Sequence, residues 1–228
     1  MLRIAIDGPA GSGKSTISKI LAKKLGLIYI DTGAMYRACA YISLEFHVNG
    51  DALEELVRDT EIDFLQNDDT QRVILLLQES EYDVTEAVRT PEVSAKVSEV
   101  AADKKIREIL TKKQKKLASR KNVIMDGRDI GTVVIPDAEV KIFLNASVDE
   151  RSHRRYAELK EKYPEISFDE VKDDLVKRDE TDTKRQTAPL LKAEDAVEVD
   201  TTGLTVDEVV QEIMKIVNKK REAGESIQ

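Results

Sequence analysis

The chain has 228 residues with a net charge of −8 at pH 7, and 35% of its residues are charged while 41% are hydrophobic. These values predict a soluble globular α/β chain with insertions. They argue against a general nucleic-acid-binding surface, because phosphate backbones repel a negatively charged protein. No apolar run approaches the roughly 18 residues of a membrane span, so we expect no membrane attachment, no signal peptide and a cytoplasmic location. The single cysteine, Cys39, excludes an intrachain disulfide and is expected to be a small buried hydrophobe.

The first predicted elements are a short apolar strand, a glycine-rich loop and a helix. The loop runs from Gly8 to Thr16 and fits the pattern of a glycine, four residues and then Gly-Lys-Ser/Thr. Its glycines let the backbone curl so that successive N–H groups point at phosphate oxygens, and Lys14 adds a mobile ammonium group. The hydroxyl of Ser15 is expected to bind Mg²⁺. The helix, whose start adds partial positive charge, is predicted to end at Gly26.

A second strand over residues 27–30 leads into a helix that carries an arginine near its start. Thr32 is predicted to cap this helix, and Arg37 lies beside the carboxyl edge of the sheet, where α/β folds bind ligands. Residues 60–90 then change in character, because short β-type segments separated by polar turns predict a small antiparallel insert. The segment from Val93 to Ala118 is predicted to form one helix.

Three further buried strands are predicted over residues 123–126, 140–145 and 197–200. With the first two they alternate with helices, which predicts a parallel sheet with helices on both faces. Two regions, residues 36–110 and 150–190, interrupt this alternation. Because both leave the carboxyl edge of the sheet, we expect two flaps over one crevice.

Capping boxes predict the starts of two late helices. Ser167 and Glu170 begin the second of two polar helices, and Thr205 and Glu208 begin the closing helix. The buried face of the closing helix is predicted to comprise Val206, Val209, Val210, Ile213 and Val217.

Arginines from five separate segments are candidates for binding phosphate, because the planar guanidinium group donates two parallel hydrogen bonds. Arg128 lies between Asp126 and Asp129 just after a strand, and these carboxylates could hold Mg²⁺ through water, orient the arginine or accept a substrate proton. A surface ion-pair turn is the alternative there. The segment that ends the second polar helix, taken alone, is more typical of a solvated helix end. The five arginines are Arg37, Arg107, Arg128, Arg178 and Arg185.

Four stretches of the chain resemble the bacterial cytidylate kinases, a group of nucleoside monophosphate kinases among the phosphate-loop NTPases. They are Ile6–Thr16, Asp31–Arg37, Asp126–Val134 and Arg178–Leu190, and the likeness covers essentially the whole chain. The insert near residues 60–90 is also similar to that of the bacterial enzymes. The resemblance implies a three-layer α/β phosphate-loop NTPase fold, in which a five-stranded parallel sheet with helices on both faces carries an NMP-binding insert and a lid.

The resemblance also implies domain boundaries. The core would comprise residues 1–35, 111–148 and 192–228, the NMP-binding domain would comprise residues 36–110, and the lid would comprise residues 149–191.

The activity that the resemblance implies is transfer of the ATP γ-phosphate to CMP or dCMP, giving ADP and CDP or dCDP. The transfer would be in line, assisted by Mg²⁺ held with ATP at Ser15, and would form no covalent enzyme intermediate. The partners would be ATP and CMP or dCMP, and we expect a monomer that binds neither nucleic acid nor membrane. The catalytic residues would be Lys14, Arg128 and Arg185.

The resemblance further implies two sets of binding residues. Within the second set, Ser98, Arg107 and Asp129 would read cytosine, since a carboxylate accepts from the N4 amine while Arg and Ser donate to N3 and O2. Uracil reverses the polarity at positions 3 and 4, and mispairing of this kind in a closed site costs about 10⁴–10⁵ in selectivity. ATP would contact Gly8, Pro9, Ala10, Gly11, Ser12, Gly13, Lys14, Ser15 and Thr16. CMP would contact Thr32, Arg37, Ser98, Arg107, Arg128, Asp129, Arg178, Asp182 and Arg185.

Two features depart from the family pattern. Ala10 stands where several relatives have a serine that contacts the acceptor phosphate. Thr181 and Thr183 stand where some relatives have further arginines, which leaves open which residue stabilises the transferring phosphate. Arg151 and Arg155, four residues apart on one helical face, are the reserve candidates, with surface ion pairs as the alternative.

Two other functions compete with this one. A GTPase switch would use the DxxG pattern of Asp200–Gly203, but the sequence has no Asn-Lys-x-Asp motif for guanine. A small-metabolite kinase of similar fold, such as a shikimate or dephospho-coenzyme A kinase, is disfavoured by the long insert and the Asp126–Asp129 site. The acceptor that stimulates ADP release would separate the three.

Overall fold

The computed structural model describes residues 1–66, 71–77, 79–119, 122–161 and 163–225. The chain divides into two compact units. We call Met1–Ile30 together with Leu117–Gln228 the core unit, and Asp31–Lys116 the inserted unit. Within the described ranges, no helix is long and apolar enough to cross a bilayer.

The chain begins with strand β1 (Arg3–Asp7), helix α1 (Lys14–Leu25) and strand β2 (Ile28–Asp31). Strand β1 is buried from its second residue onward, as a strand with neighbours on both sides must be. Helix α1 ends at Gly26, whose φ of 65° is the left-handed conformation that glycine adopts without a steric penalty. The predicted order of strand, loop and helix is confirmed.

The inserted unit contains helices before and after a small sheet. Three strands pair antiparallel in the order β3–β4–β5, which confirms the predicted antiparallel insert. In chain order the elements are α2 (Thr32–Glu45), α3 (Gly50–Asp59), β3 (Glu61–Gln66), β4 (Gln71–Leu77), β5 (Ser80–Asp83), α4 (Pro91–Ala102) and α5 (Lys104–Ala118).

The single helix predicted from Val93 to Ala118 is wrong, because an aspartate divides it. Asp103 has an extended backbone with ψ of 119°. Its carboxylate accepts hydrogen bonds from the N–H groups of Lys105 at 2.8 Å and Ile106 at 3.1 Å. These bonds satisfy the first donors of α5, so a new helix begins there.

The predicted cap of α2 is also wrong by one residue. Asp31, not Thr32, is the N-cap, since its Oδ1 accepts a hydrogen bond from the N–H group of Ala34 at 2.8 Å. Thr32 is instead the first residue of the helix and is buried.

The second part of the core unit completes the main sheet. Its elements are β6 (Val123–Gly127), a π-helical turn (Ile130–Val134), β7 (Val140–Asn145), α6 (Val148–Lys160), α7 (Phe168–Lys184), β8 (Val197–Asp200) and α8 (Val206–Glu225). The five strands form a parallel sheet in the order β2–β6–β1–β7–β8, which confirms the predicted α/β fold. Strand β1 lies at the centre, so the loop that follows it opens at the middle of the carboxyl edge.

Side chains of α1 and α8 pack with these strands in one apolar cluster. Both predicted capping boxes are present, at the start of α7 and at the start of α8. Four of the five residues predicted for the buried face of α8 are buried, but Val206 is 45% exposed. Val206 is the first residue of the helix and lies outside the apolar cluster, to which α8 contributes from Val209 onward.

The glycines of the chain provide a test of this packing. A Cβ at Gly8 would lie 2.0 Å from the carbonyl oxygen of Leu144, whereas a Cβ at Gly26 would meet nothing within 4 Å. Both glycines have positive φ, so both substitutions strain the backbone. We expect Gly26→Ala to lower the free energy of unfolding by about 1–2 kcal/mol and Gly8→Ala to lower it by about 3 kcal/mol or more. Urea denaturation measures both values, and equal losses would contradict the close approach at Gly8.

Candidate active site

The phosphate loop is held in its curved form by three glycines with positive φ. The φ angles are 152° at Gly8, 74° at Gly11 and 86° at Gly13. A Cβ at Gly11 would lie 3.1 Å from the carbonyl oxygen of Arg151, so α6 packs tightly against the loop. The loop runs directly into the start of α1 at Lys14. Backbone N–H groups and a helix start therefore meet at one point, which is an arrangement that binds anions.

Lys14 folds back onto this loop. Its Nζ donates hydrogen bonds to the carbonyl oxygen of Pro9 at 2.6 Å and to Oγ of Ser12 at 3.2 Å. Burial, together with the nearby charge of Arg128, lowers the pKa of Lys14 well below its usual range. An anionic group beside the loop would act against both effects, because it favours the charged form of the lysine.

Ser15 lies beside a buried carboxylate. Its Oγ donates a hydrogen bond to Oδ2 of Asp126 at 2.8 Å, and the hydroxyl of Tyr29 donates to Oδ1 at 2.8 Å. Magnesium prefers oxygen ligands, and it commonly takes one or two from protein and the rest from phosphate and water. The Ser15–Asp126 pair fits that pattern. In the part of the chain that the structure describes, no group of three or more His, Cys, Asp or Glu side chains could hold a metal ion.

Asp182 joins two of the candidate arginines. Its carboxylate accepts a hydrogen bond from Nε of Arg128 at 2.7 Å and another from Nη1 of Arg185 at 3.2 Å. Nη2 of Arg185 also lies 3.8 Å from Oδ1 of Asp129. The structure therefore brings these four predicted residues together in the core unit.

Opposite charges in this cluster counter the cost of burying Asp182 and Arg128. Burial opposes the charge of Asp182, but Arg128, Arg178 and Arg185 lower the pKa of its carboxyl below the usual range. Burial likewise opposes the charge of Arg128, while Asp182 keeps the pKa of this guanidinium above its usual value. Arg178, which lies on α7 with Asp182, also helps to lower the pKa of Lys14. Cationic groups from several elements thus surround one end of the phosphate loop.

The two reserve arginines differ, because Arg155 forms a surface ion pair, as the alternative predicted, whereas Arg151 contacts the phosphate loop. Arg155 pairs with Glu158 at 3.0 Å. Arg151 is buried and donates a hydrogen bond to the carbonyl oxygen of Ala10 at 2.9 Å. Thr181 and Thr183 are both exposed on α7.

Asp7 is a buried residue of the site that the sequence analysis did not single out. Its carboxylate accepts hydrogen bonds from the N–H groups of Ile130 at 2.8 Å and Gly131 at 2.7 Å. It thereby holds the segment after Arg128 and Asp129 against the strand that precedes the phosphate loop. Burial raises the pKa of Asp7 to about 6. The available signal was a carboxylate inside an otherwise apolar strand.

The inserted unit carries a second group of predicted residues. Nη2 of Arg37 donates a hydrogen bond to Oδ2 of Asp31 at 2.8 Å. Burial works against the charge of Asp31, but Arg37 holds the pKa of this carboxyl below its usual value. Nε of Arg37 is buried with no hydrogen-bond partner among the residues that the structure describes. A buried donor of this kind suits an anionic ligand.

Arg107 is also in the inserted unit and is 2% exposed. Its guanidinium carbon lies 5.2 Å from the centre of the Tyr36 ring, and its Nη1 donates a hydrogen bond to the carbonyl oxygen of Ala101 at 3.2 Å. The ring and the carbonyl group therefore both hold the guanidinium group in place. Ser98 is half-buried on α4. Cys39 is fully buried, as predicted, and burial raises the pKa of its thiol to about 12.

Comparison with known proteins assigns the family. A family model described as "Cytidylate kinase" matches residues 4–219. The chain is 50% identical over 224 residues to a cytidylate kinase of Carboxydothermus hydrogenoformans, and the match covers 97% of this chain and 99% of the relative. The chain belongs to the cytidylate kinase family.

A second relative agrees with this membership of the cytidylate kinase family, and a solved structure shares the fold. A cytidylate kinase of Bacillus cereus is 50% identical over 220 residues, which cover 95% of this chain and 96% of the relative. Among solved structures, an uncharacterised protein from Eubacterium ventriosum superposes with a TM-score of 0.54 at 14% identity, over 96% of this chain and 99% of that one. The structural likeness concerns the fold alone.

The pKa of Asp7 gives a test in this cytidylate kinase family member. Because the pKa of Asp7 is about 6 in the folded chain and 3.8 ordinarily, the folded state holds this proton more tightly. The stability that protonated Asp7 contributes is complete below about pH 4 and is lost as the pH rises through about 6. We expect the unfolding free energy of the wild type minus that of Asp7→Asn to fall by about 2 kcal/mol between pH 4 and pH 7.

Chemical denaturation at a series of pH values measures this difference. Asp207→Asn, on the exposed side of α8, is the matched control and should show a flat difference. A flat difference for Asp7→Asn as well would contradict the raised pKa.

Proposed function

We propose that this chain transfers the γ-phosphoryl group of ATP to CMP or dCMP, giving ADP and CDP or dCDP. The observation that carries the proposal is that the phosphate loop and Lys14 lie in one compact unit with two arginines. These are Arg128 and Arg185, and both donate hydrogen bonds to Asp182. Membership of the cytidylate kinase family supports the same reaction.

The donor half of the site is the phosphate loop. Residues Gly8 to Thr16 would surround the ATP phosphates, and backbone N–H groups of the loop after Ala10 would donate to them. Lys14 would turn from Pro9 toward the β and γ phosphates. Ser15 and Asp126 would hold Mg²⁺ with the phosphates, directly or through water. When bound, that ion would supply positive charge that neutralises the negative charge on the phosphates during transfer.

The acceptor half comprises arginines and the residues that read the base. Arg37, Arg128 and Arg185 would bind the acceptor phosphate and the moving phosphoryl group, while Thr32 would lie near the same phosphate. Ser98, Arg107 and Asp129 would contact cytosine, and Arg178 and Asp182 would contact the sugar. The buried donor of Arg37 and the ordered guanidinium of Arg107 support these roles.

The reaction needs no enzyme nucleophile. A phosphate oxygen of CMP forms a bond to the γ phosphorus while the bond from that phosphorus to the β–γ bridging oxygen breaks, and ADP leaves. Lys14, Arg128 and Arg185 stabilise the charge on the transferring oxygens, and one such arginine is worth about 10³–10⁵ in rate. Burial of the site strengthens these interactions because it excludes water.

The proposal includes the domain roles. Residues 1–35, 111–148 and 192–228 would form the core, residues 36–110 the NMP-binding domain and residues 149–191 a lid that closes over the substrates. We further propose that the enzyme acts in the cytoplasm as a monomer.

A panel of acceptors in an ADP-release assay tests the reaction. We expect turnover with CMP and dCMP, and turnover reduced by about 10⁴-fold with UMP, whose polarity is reversed at positions 3 and 4. Lys14→Ala should abolish most of the activity and serves as the matched inactive control. Equal turnover with AMP or UMP would refute the cytosine assignment, and ADP release independent of any nucleotide acceptor would refute the reaction.

Arg107→Ala tests the assignment of the base site. The substitution removes a buried donor beside the acceptor base, so KM for CMP should rise about 10- to 100-fold while KM for ATP changes less than about twofold. Arg58→Ala, an exposed arginine on α3 of the same unit, is the matched control and should leave both constants unchanged. An effect of Arg107→Ala confined to ATP would show that this residue belongs to the donor site.

A further inference from the structure

Both polar backbone groups of Ala10 are bound by side chains from the helices α6 and α7. Its N–H group donates a hydrogen bond to Oδ1 of Asp179 at 3.2 Å, and its carbonyl oxygen accepts one from Nη1 of Arg151 at 2.9 Å. The same Nη1 donates to Oδ2 of Asp179 at 2.5 Å. Residues 10, 151 and 179 therefore form a closed ring of three hydrogen bonds, which we call the Ala10 clamp.

The Ala10 clamp is centred on a buried arginine. Arg151 is 4% exposed, and its Nε donates a further hydrogen bond to the carbonyl oxygen of Ala146 at 3.0 Å. Two of its three guanidinium nitrogens thus bind the residue after β7, the phosphate loop and α7 at once. A lysine has one nitrogen and cannot reproduce this fork. Gly11, next in the loop, fits closely because Arg151 and Leu175 lie 3.1–3.3 Å from the position of a Cβ.

Helix α7 connects this clamp to the arginine cluster. Asp179 and Asp182 are three residues apart and so lie on one face of the helix, one turn from each other. Asp179 binds the phosphate loop, while Asp182 binds Arg128 and Arg185. The charge of Asp179 also helps to raise the pKa of Arg128. One helical turn therefore sets the spacing between the loop and the arginines.

We propose that Arg151 and Asp179 are positioning residues, which fix the phosphate loop relative to the arginines that transfer depends on. The inference rests on the proposed function, and neither side chain is assigned a contact with substrate. Their effect is exerted through the backbone of Ala10 and through α7. Because a misplacement of about 1 Å can reduce the rate about 100-fold, the clamp should affect turnover more than binding.

The test compares variants of the full chain in the ADP-release assay with ATP and CMP. We expect Asp179→Ala to lower kcat about 10- to 100-fold while KM for CMP changes less than about threefold. Asp179→Asn keeps an acceptor for the N–H group of Ala10 but loses the charge that faces Arg151, so it should lower kcat less. Arg151→Lys should lower kcat as Asp179→Ala does. Asp174→Ala, an exposed aspartate on the same helix, is the matched control and should leave kcat unchanged.

A double variant and a stability measurement separate positioning from a purely structural role. If the two residues act as one clamp, Asp179→Ala combined with Arg151→Lys should lower kcat no further than the worse single variant. Thermal unfolding and circular dichroism establish the folded fraction, and kcat is expressed per folded molecule. Wild-type kcat per folded molecule in Asp179→Ala would overturn the proposal. If Asp179→Ala does not fold, wild-type kcat in Asp179→Asn would overturn it.

The experiment distinguishes failure of the clamp proposal from failure of the proposed function. If the wild-type chain does not phosphorylate CMP, the reaction is wrong. If the wild type is active and the clamp variants match it, only the clamp is wrong. A rise in KM for CMP at unchanged kcat would also overturn the proposal, because it would show that the clamp acts on the binding of the acceptor.

Discussion

The curve of the phosphate loop depends on contacts with residues that lie far away along the chain. Gly8 lies against the carbonyl group of Leu144, and Ala10 is bound on both sides by Arg151 and Asp179. Such a loop has no regular secondary structure to hold it, so contacts with distant residues must fix the direction of its backbone N–H groups. The packing therefore forms the anion site before a ligand binds. Less binding energy is then spent on ordering the loop, and more is available to stabilise the transition state.

The distribution of charge follows from that constraint. The net charge is −8, yet cationic groups are gathered beside the phosphate loop. In the core unit the charge of Arg128 is tolerated because Asp182 lies next to it, and in the inserted unit Arg37 pairs with Asp31 in the same way. Buried ion pairs contribute little to stability, since desolvation offsets most of their attraction. Their concentration here is better explained by binding of a multiply charged ligand than by folding.

Local patterns made much of the fold predictable. The strands at 140–145 and 197–200 have the predicted bounds because apolar runs are flanked by polar turns, and the capping boxes fixed two helix starts. The errors came from competition between neighbouring caps, as at Asp31 and Asp103, where one carboxylate takes the first N–H groups of a helix. Contacts between residues that are far apart along the chain could not be predicted from local sequence patterns. Ala10 and Asp179 are 169 positions apart, and no periodicity connects them.

The central claim is that the phosphate loop and the guanidinium groups serve two nucleotides joined end to end by their phosphates. Binding of P1-cytidine-P5-adenosine pentaphosphate, a single molecule that contains both nucleotides, tests it most directly by calorimetry. The account predicts that one joined molecule binds per chain, more tightly than ATP or CMP alone. Once it is bound, neither ATP nor CMP should bind. Simultaneous binding of ATP beside the joined molecule, or an affinity no better than that of CMP, would contradict it.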